Sequence, residues 1–200
     1  MICGLTLKSQ TSQPPNLRRH WTETKTETLW TVRYTNCDYG YYVLLGDGMV
    51  GHDTLPPAPN HGFLVSLPDV GKTSFASAYE EERYVWVDAS YDVMDDQSLA
   101  SAVSNEEQMM EESSGKGKSR IVERKSTKLA GLRAIQFRAE YPTPTGTAVE
   151  VTIVAVRSGI VYRIGLRTLL EDLPVDEVQF QKVINWFRLL KLPQGECSNG

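Results

Sequence analysis

Residue types that bind metals or transfer protons are concentrated in one short segment, GHDTLPPAPNHGFLVSLPD, residues 51–69. It holds His52, Asp53 and His61, and imidazole nitrogens and carboxylate oxygens are both zinc ligands. The prolines between them could bend the chain so that the three side chains converge. A zinc site needs a further ligand, which Cys37 or Asp69 would have to supply. A small metal-dependent enzyme or metal-binding protein is therefore one hypothesis.

The same segment also has the composition of a stiff loop between two strands. Asn60-His61-Gly62 is typical of a turn, because asparagine tolerates the left-handed conformation. Pro56, Pro57 and Pro59 restrict the backbone and limit the entropy lost if the loop docks. We expect a structural loop whose further use is to bind a partner protein. The candidate contact residues are His52, Asp53, Pro57, Asn60 and His61.

Two other patterns have residue types that could bind a ligand. Gly71-Lys72-Thr73 is similar to the end of a phosphate-binding loop, but Ser66 stands where the first glycine is needed. Asp92, Asp95 and Asp96 could bind a cation, although capping of a following helix by Asp95 or Asp96 explains them as well. No Ser/His/Asp or Cys/His set can be assembled. We expect no catalytic residues, no cofactor and no enzymatic activity.

Composition indicates one globular domain. The 200 residues are 40% hydrophobic and 23% charged, which suits a single domain over residues 21–193, with tails at 1–20 and 194–200. The net charge of −4 argues against nucleic acid or an anionic membrane as the main partner. No run approaches the roughly 18 apolar residues of a membrane span.

The three cysteines are Cys3, Cys37 and Cys197, two of them in the expected tails. Their odd number and spacing predict neither a disulfide framework nor a Cys-x-x-Cys metal site. If Met1 is the true start, the chain is expected in the cytoplasm. If Cys3 is the lipidated cysteine of a longer precursor, the chain is a periplasmic or membrane-anchored lipoprotein.

The N-terminal half predicts strands and one helix. Residues 27–45 suit a hairpin with a turn at Asn36-Cys37-Asp38. GFLVSLP (62–68) and RYVWVDASYDV (83–93) are typical of strands, and residues 97–112 have good helix formers at helical spacing.

The C-terminal half predicts an antiparallel sheet and a helix that covers it. Apolar residues alternate along 132–141, 149–155 and 160–167, which are joined by short turn sequences. PVDEVQFQKVINWFRLLKLP, residues 174–193, begins with proline and acids and has an apolar stripe through Val175, Val178, Val183, Phe187 and Leu190. We expect this amphipathic helix to pack on one face of the sheet.

The polar sides of the same strands form a second candidate surface. We expect these residues to lie across three adjacent strands, where they pair laterally, are covered by the middle helix, or bind a partner. They are Gln136, Arg138, Glu140, Glu150, Thr152, Arg163 and Arg167, of which Arg138, Glu150 and Arg163 are the partner-binding candidates.

The order of these elements resembles the PsbP-like superfamily, whose fold is shared with the Ran-binding factor Mog. The resemblance spans residues 27–192 and rests on LAGLRAIQFRAEY (129–141), SGIVYRIGL (158–166) and VDEVQFQKVINWFRLL (175–190), with YGYYVLL as a weaker match. It implies an α+β chain, specifically an α/β/α sandwich with a central antiparallel sheet. It also implies binding of protein partners rather than catalysis. No residue of this chain maps onto the photosystem-contacting or Ran-contacting residues of that superfamily.

The sequence thus favours a non-enzymatic accessory or protein-binding domain whose partner is unidentified. The partner would contact the proline-rich loop or the polar side of the sheet.

Overall fold

The computed structural model describes residues 21–25, 30–46, 48–53, 61–67, 83–91, 98–113, 119–144 and 146–191. The expected tails, 1–20 and 194–200, lie outside these ranges. Within them the chain is mostly antiparallel sheet with two helices, which confirms the α+β class. Neither described helix is long and apolar enough to cross a membrane.

The described strands form two sheets. The strands are β1 Trp21–Lys25, β2 Trp30–Asn36, β3 Tyr41–Leu45, β4 Val50–Asp53, β5 Gly62–Ser66, β6 Tyr84–Tyr91, β7 Arg120–Leu129, β8 Leu132–Thr143, β9 Gly146–Arg157, β10 Ile160–Leu169 and β11 Phe187–Leu189. One sheet has the order β1-β2-β3-β11, and the other has the order β4-β5-β6-β10-β9-β8-β7. The hairpins predicted over 132–167 are confirmed. Ser158 adopts positive φ in the turn between β9 and β10, as does Ala130 in the turn between β7 and β8.

The helix predicted over 97–112 is present as α1, Leu99–Ser113. Its first turn is capped by Ser98, whose Oγ accepts a hydrogen bond from the Ser101 backbone N–H at 3.0 Å. The prediction had assigned this cap to Asp95 or Asp96, which lie outside the described residues. Ala102, Val103 and Met110 of α1 share a buried cluster with Phe137, Val154 and Val161 of the large sheet.

The C-terminal helix is shorter than predicted. It forms α2, Leu173–Trp186, and Phe187–Leu189 leaves it as strand β11, which pairs with Tyr41–Val43 of β3. Phe187 has φ −68° and ψ 130°, so the helix ends there. The prediction of one helix over residues 174–193 was wrong at its C-terminal end, because Phe187 is fully buried and pairs with Val43 of β3.

The apolar stripe of α2 is also narrower than predicted. Phe180 and Val183 belong to the same buried cluster as the apolar face of the large sheet. Val175 and Val178 are 59% and 57% exposed. The buried residue of the first turn is instead Asp176, which forms a bidentate ion pair with Arg83.

Candidate functional site: the ends of the proline-rich segment and the charged side of the sheet

His52 and Asp53 lie in strand β4 rather than in a loop. His52 is opposite Leu64 of β5, and its Nε2 is 2.9 Å from Ser66 Oγ. Burial lowers the pKa of His52 from its ordinary value of 6.5, although the nearby Asp53 opposes that shift. Nucleophilic active sites also contain a neutral imidazole that is hydrogen-bonded to a hydroxyl group. Ser66 is, however, only 1% exposed, so its hydroxyl holds two strands together.

His61 fixes the other end of the segment. Its carbonyl oxygen accepts hydrogen bonds from the Ala89 backbone N–H at 2.9 Å and from the Tyr41 hydroxyl at 3.2 Å. Its ring makes an edge contact with the ring of Tyr39, with centroids 5.2 Å apart. These contacts explain the turn predicted before β5 and give His61 a structural role.

The two histidines are not brought together along the sheet. His61 lies three residues before Leu64, the partner of His52, which separates the two positions by roughly 10 Å along a strand. Among the described residues there is no group of three His, Cys, Asp or Glu side chains that could hold a metal ion. Pro57 and Asn60 lie outside the described residues, as does the whole stretch 54–60. The metal-site hypothesis therefore gains no support from the described geometry.

An aromatic surface adjoins His61 and was not recognised in the sequence. Tyr39 contacts both His61 and Tyr91, with the two tyrosine rings 5.3 Å apart. Tyr91 donates a hydrogen bond to the Asp38 carbonyl oxygen at 3.3 Å and is nevertheless 61% exposed. We call Asp38, Tyr39, His61 and Tyr91 the aromatic platform. The available signal was an aromatic residue at the end of a predicted strand beside the proline-rich segment.

The platform rests on a rigid base. The Tyr162 hydroxyl donates to the Tyr39 carbonyl oxygen at 2.8 Å, and the Asn36 side-chain oxygen accepts from the Tyr39 backbone N–H at 3.1 Å. Burial, followed by the nearby Tyr91 and Asp88, raises the pKa of Tyr39 above its ordinary value of 10.0. The Tyr39 phenol is therefore neutral, and the Tyr39 backbone is held by hydrogen bonds at both its N–H and its carbonyl group.

The turn beneath the platform contains a covalent link. Cys37, between β2 and β3, is disulfide-bonded. The other cysteines, Cys3 and Cys197, lie outside the described residues. The sequence indicated no disulfide framework, and the spacing of the three cysteines did not reveal this bond.

The predicted polar side of the sheet is divided over two faces. The register pairs Arg138 with Val151, and pairs Ala139 with Glu150. Directly opposite residues point to the same face, so Arg138 lies on the face of Val151 and Glu150 on the face of Ala139. The expectation of one shared polar face was therefore wrong. Gln136, Arg138 and Glu140 occupy one face, and Glu150, Thr152, Arg163 and Arg167 occupy the other.

Arg163 is engaged inside the protein under α1. Its Nε donates to Glu106 Oε2 at 2.6 Å, and its Nη1 donates to Asp88 Oδ2 at 3.2 Å and to Ser90 Oγ at 2.9 Å. Burial raises the pKa of Glu106 and of Asp88 above their ordinary values, although Arg163 opposes the shift. The pairing fixes α1 to the sheet, which is the arrangement expected if the middle helix covers these residues.

Arg138 lies in a more open place. It forms an ion pair with Glu140 at 3.2 Å, and the two side chains are 34% and 28% exposed. An ion pair at this exposure contributes little to stability.

Glu150 yields a prediction about pH. Burial raises its pKa above the ordinary value of 4.5, with Arg167 lowering it and Glu106 raising it further. A carboxyl whose folded pKa is raised stabilises the fold below its unfolded pKa and loses that contribution as the pH rises through its folded pKa. We expect Glu150→Gln to raise the free energy of unfolding at pH 7.5 and to leave it nearly unchanged at pH 4. Urea titrations at both pH values measure this.

The control for that prediction is Glu140→Gln on the opposite face, which should change stability little at either pH. A Glu150→Gln chain that is less stable than the wild type at pH 7.5 would contradict the expectation, because the ionised Glu150 carboxylate would then stabilise the fold.

An open cavity of about 310 Å³ lies where β9 begins and β10 ends. Its lining residues are Gly146, Thr147, Leu169, Leu170 and Glu171. Among the described lining residues, Glu171 is the one with an ionisable side chain, so these residues supply no pair of acid and base groups.

Comparisons with known proteins bear on the fold. No family model and no curated protein sequence matches the chain. Among solved structures, cyanobacterial PsbP (CyanoP) from Synechocystis sp. PCC 6803 matches with a TM-score of 0.57 and 15% identity, over 78% of this chain and 91% of that one. The Ran-binding protein Mog1p of Saccharomyces cerevisiae matches with a TM-score of 0.53 and 12% identity, over 82% and 97% of the two chains. The chain therefore has the PsbP/Mog1-like fold, as the resemblance read from its sequence predicted.

Proposed function

We propose that this chain is a non-enzymatic accessory domain that binds a protein partner, with its layers arranged as the α/β/α sandwich of PsbP-like proteins. The partner contacts the aromatic platform and the adjoining proline-rich segment. The observation that carries the proposal is Tyr91, a large aromatic side chain that is 61% exposed on a fixed base.

Tyrosine suits this role because it offers a wide apolar surface and a hydroxyl at a small entropic cost. Aromatic residues are enriched in protein–protein contacts and often supply much of the binding energy. The neighbouring His61 and Tyr39 are held by hydrogen bonds through their backbones. Little ordering is therefore required when the platform is covered.

Two further observations support the proposal. A protein with the same fold, Mog1p, is a Ran-binding protein, so the fold is compatible with protein binding. Disulfides are typical of oxidising compartments, and the Cys37 disulfide favours a partner that is met outside the cytosol.

Site-specific photo-crosslinking tests the platform. p-Benzoylphenylalanine replaces Tyr91 in one chain and Met109 in the control chain, since Met109 is also exposed, at 48%, but lies on α1. After irradiation in cells that produce the chain, we expect a discrete protein adduct from position 91 and none of that mass from position 109. Adducts that are absent at position 91, or the same at both positions, would overturn the proposal.

A second variant tests the proline-rich segment. Residues 54–60 are replaced by Gly/Ser residues of equal length, which leaves the anchoring contacts of His52 and His61 in place. We expect the adduct from position 91 to weaken, because a flexible segment loses more entropy on docking. An undiminished adduct would remove this segment from the contact surface.

A further inference from the structure

Strand β7 is an end strand of the seven-stranded sheet, and its ladder partner is β8. From Glu123 to Leu129 the two strands pair residue by residue, whereas a register shift lies between Ile121 and Glu123. No described strand pairs with the outer side of β7. An end strand of this length presents a row of unpaired backbone N–H and C=O groups.

The turn after β7 shows which backbone groups face outward. Ala130 and Gly131 have φ of 46° and 86°, and Leu129 is opposite Leu132, as in a two-residue hairpin with a type I′ turn. The two residues that flank such a turn hydrogen-bond to each other through their backbone N–H and C=O groups. Along β7, these groups then point alternately away from β8 and toward it. The N–H and C=O groups of Arg124, Ser126 and Lys128 therefore point to the open edge.

This edge is basic in a chain whose net charge is −4. β7 carries Arg120, Arg124, Lys125 and Lys128 and a single acid, Glu123. Arg124 pairs with Glu107 of α1 at 3.2 Å, and Lys125 pairs with Glu123 at 3.3 Å. Both pairs are exposed enough to be exchanged for other contacts.

Three cations at the edge have no ion-pair partner within the described part of the chain: Arg120, Lys128 and Arg133. Lys128 is directly opposite Arg133. Like charges in this position repel and destabilise a hairpin. A carboxylate placed between them would relieve that repulsion.

A simpler reading is that lysines on an end strand keep copies of the protein from pairing edge to edge. The same basic side chains that repel a second copy of β7 would attract a strand that carries negative charge. Since Arg124, Ser126 and Lys128 offer outward backbone groups at alternate positions, the surface fits an extended peptide better than a phosphate, which needs no backbone edge.

We propose that the outer edge of β7 accepts an acidic, extended segment of a partner protein as an added strand. The segment pairs with the backbone groups of Arg124, Ser126 and Lys128 and places carboxylates beside Lys128 and Arg133. This inference does not rest on the aromatic platform, which lies on other strands.

The test uses a fluorescein-labelled peptide, acetyl-Glu-Thr-Glu-Val-Glu-Thr-Glu-amide, and measures its binding by anisotropy. We expect binding that weakens as salt is added, and no binding of the peptide with Lys in place of Glu. Ser126→Pro removes one outward N–H and no bond to β8, so it should weaken binding about fivefold or more. The matched control Ser126→Ala keeps the N–H and should bind like the wild type.

Hydrogen exchange separates strand addition from loose ionic attraction. At a peptide concentration about ten times the Kd, the amides of Arg124, Ser126 and Lys128 should exchange roughly tenfold more slowly, while those of Lys125 and Thr127 are already protected. Each of three results would overturn the proposal: no peptide binding, binding unchanged by Ser126→Pro, or unchanged exchange at these three amides. Duplex DNA and anionic vesicles are tested as competitors of the peptide. If either displaces the peptide and also binds the Ser126→Pro chain as well as the wild type, the edge is a phosphate-binding surface and the proposal is overturned.

Discussion

Replacing Asp176 by alanine is expected to lower the free energy of unfolding by about 3–5 kcal/mol, the usual effect of removing one partner from a buried ion pair. Asp176 is fully buried in the first turn of α2. Its two oxygens accept hydrogen bonds from Arg83 at 2.9 and 2.7 Å, and Oδ2 also accepts one from the Thr168 hydroxyl. The substitution removes two hydrogen bonds from a largely buried guanidinium and one from the Thr168 hydroxyl.

Asp172 supplies the matched control for Asp176. Its carboxylate is 3.5 Å from the same guanidinium, but its side chain is 32% exposed. Asp172→Ala should therefore cost less than about 1 kcal/mol. Urea unfolding of the two variants compares them directly. If both variants lose the same free energy of unfolding, the buried Asp176 carboxylate stabilises the contact between α2 and Arg83 no more than the exposed Asp172 carboxylate does.

Replacing Phe187 by aspartate is expected to unfold the domain. The ring of Phe187 is fully buried, stacked on Tyr41 at 5.3 Å and in edge contact with Tyr162 at 5.9 Å. Losing a buried phenylalanine costs about 3–5 kcal/mol, and an unpaired buried carboxylate costs more. Together these effects are comparable with the roughly 5–15 kcal/mol by which a domain is stable.

Phe187→Leu is the companion variant, because it keeps an apolar side chain and should remain folded with reduced stability. Circular dichroism and gel filtration of both variants provide the measurement. A soluble Phe187→Asp chain with an unchanged spectrum would refute the packing described for β11.

The C-terminal hairpins could be predicted from the sequence because their evidence is local. Apolar residues alternate along β8, β9 and β10, and Ala130-Gly131 and Ser158-Gly159 supply turns that tolerate positive φ. Short connections leave few alternative pairings. Where the connections are this short, the alternation of apolar residues and the turn residues together determine the order of the strands.

Features that depend on distant pairing could not be predicted. Phe187 and Leu190 fit a helical stripe equally well, and the strand that pairs with β11 is Tyr41–Val43, far away in the sequence. The polar residues of β8 and β9 were assigned to one face because their relative register was unknown, and a shift of one residue exchanges the faces. The sequence places Asp176 among the acids at the start of the C-terminal helix, and nothing near it in the sequence points to Arg83.

The candidate site shows the same limit. The residue types of His52 and His61 suggest metal or proton chemistry. The hydrogen bond between His52 and Ser66, however, depends on the pairing of β4 with β5, which no local pattern indicates. Tyr91 and the edge of β7 were overlooked because neither has a recognisable motif. Exposure, which the sequence does not record, is what distinguishes both of them.

The pairing of β11 with β3 has a consequence for biosynthesis. Leu190 donates its backbone N–H to the Gly40 carbonyl oxygen at 2.8 Å, so this junction joins residues 150 positions apart, from 40 to 190. Phe187–Leu189 is synthesised after every other described strand, and until then the edge of β3 lacks the partner that the structure describes for it. Long-range closure of this kind slows folding. We therefore expect the pairing of β11 with β3 to be a late step of folding, completed only after Phe187–Leu189 has been synthesised.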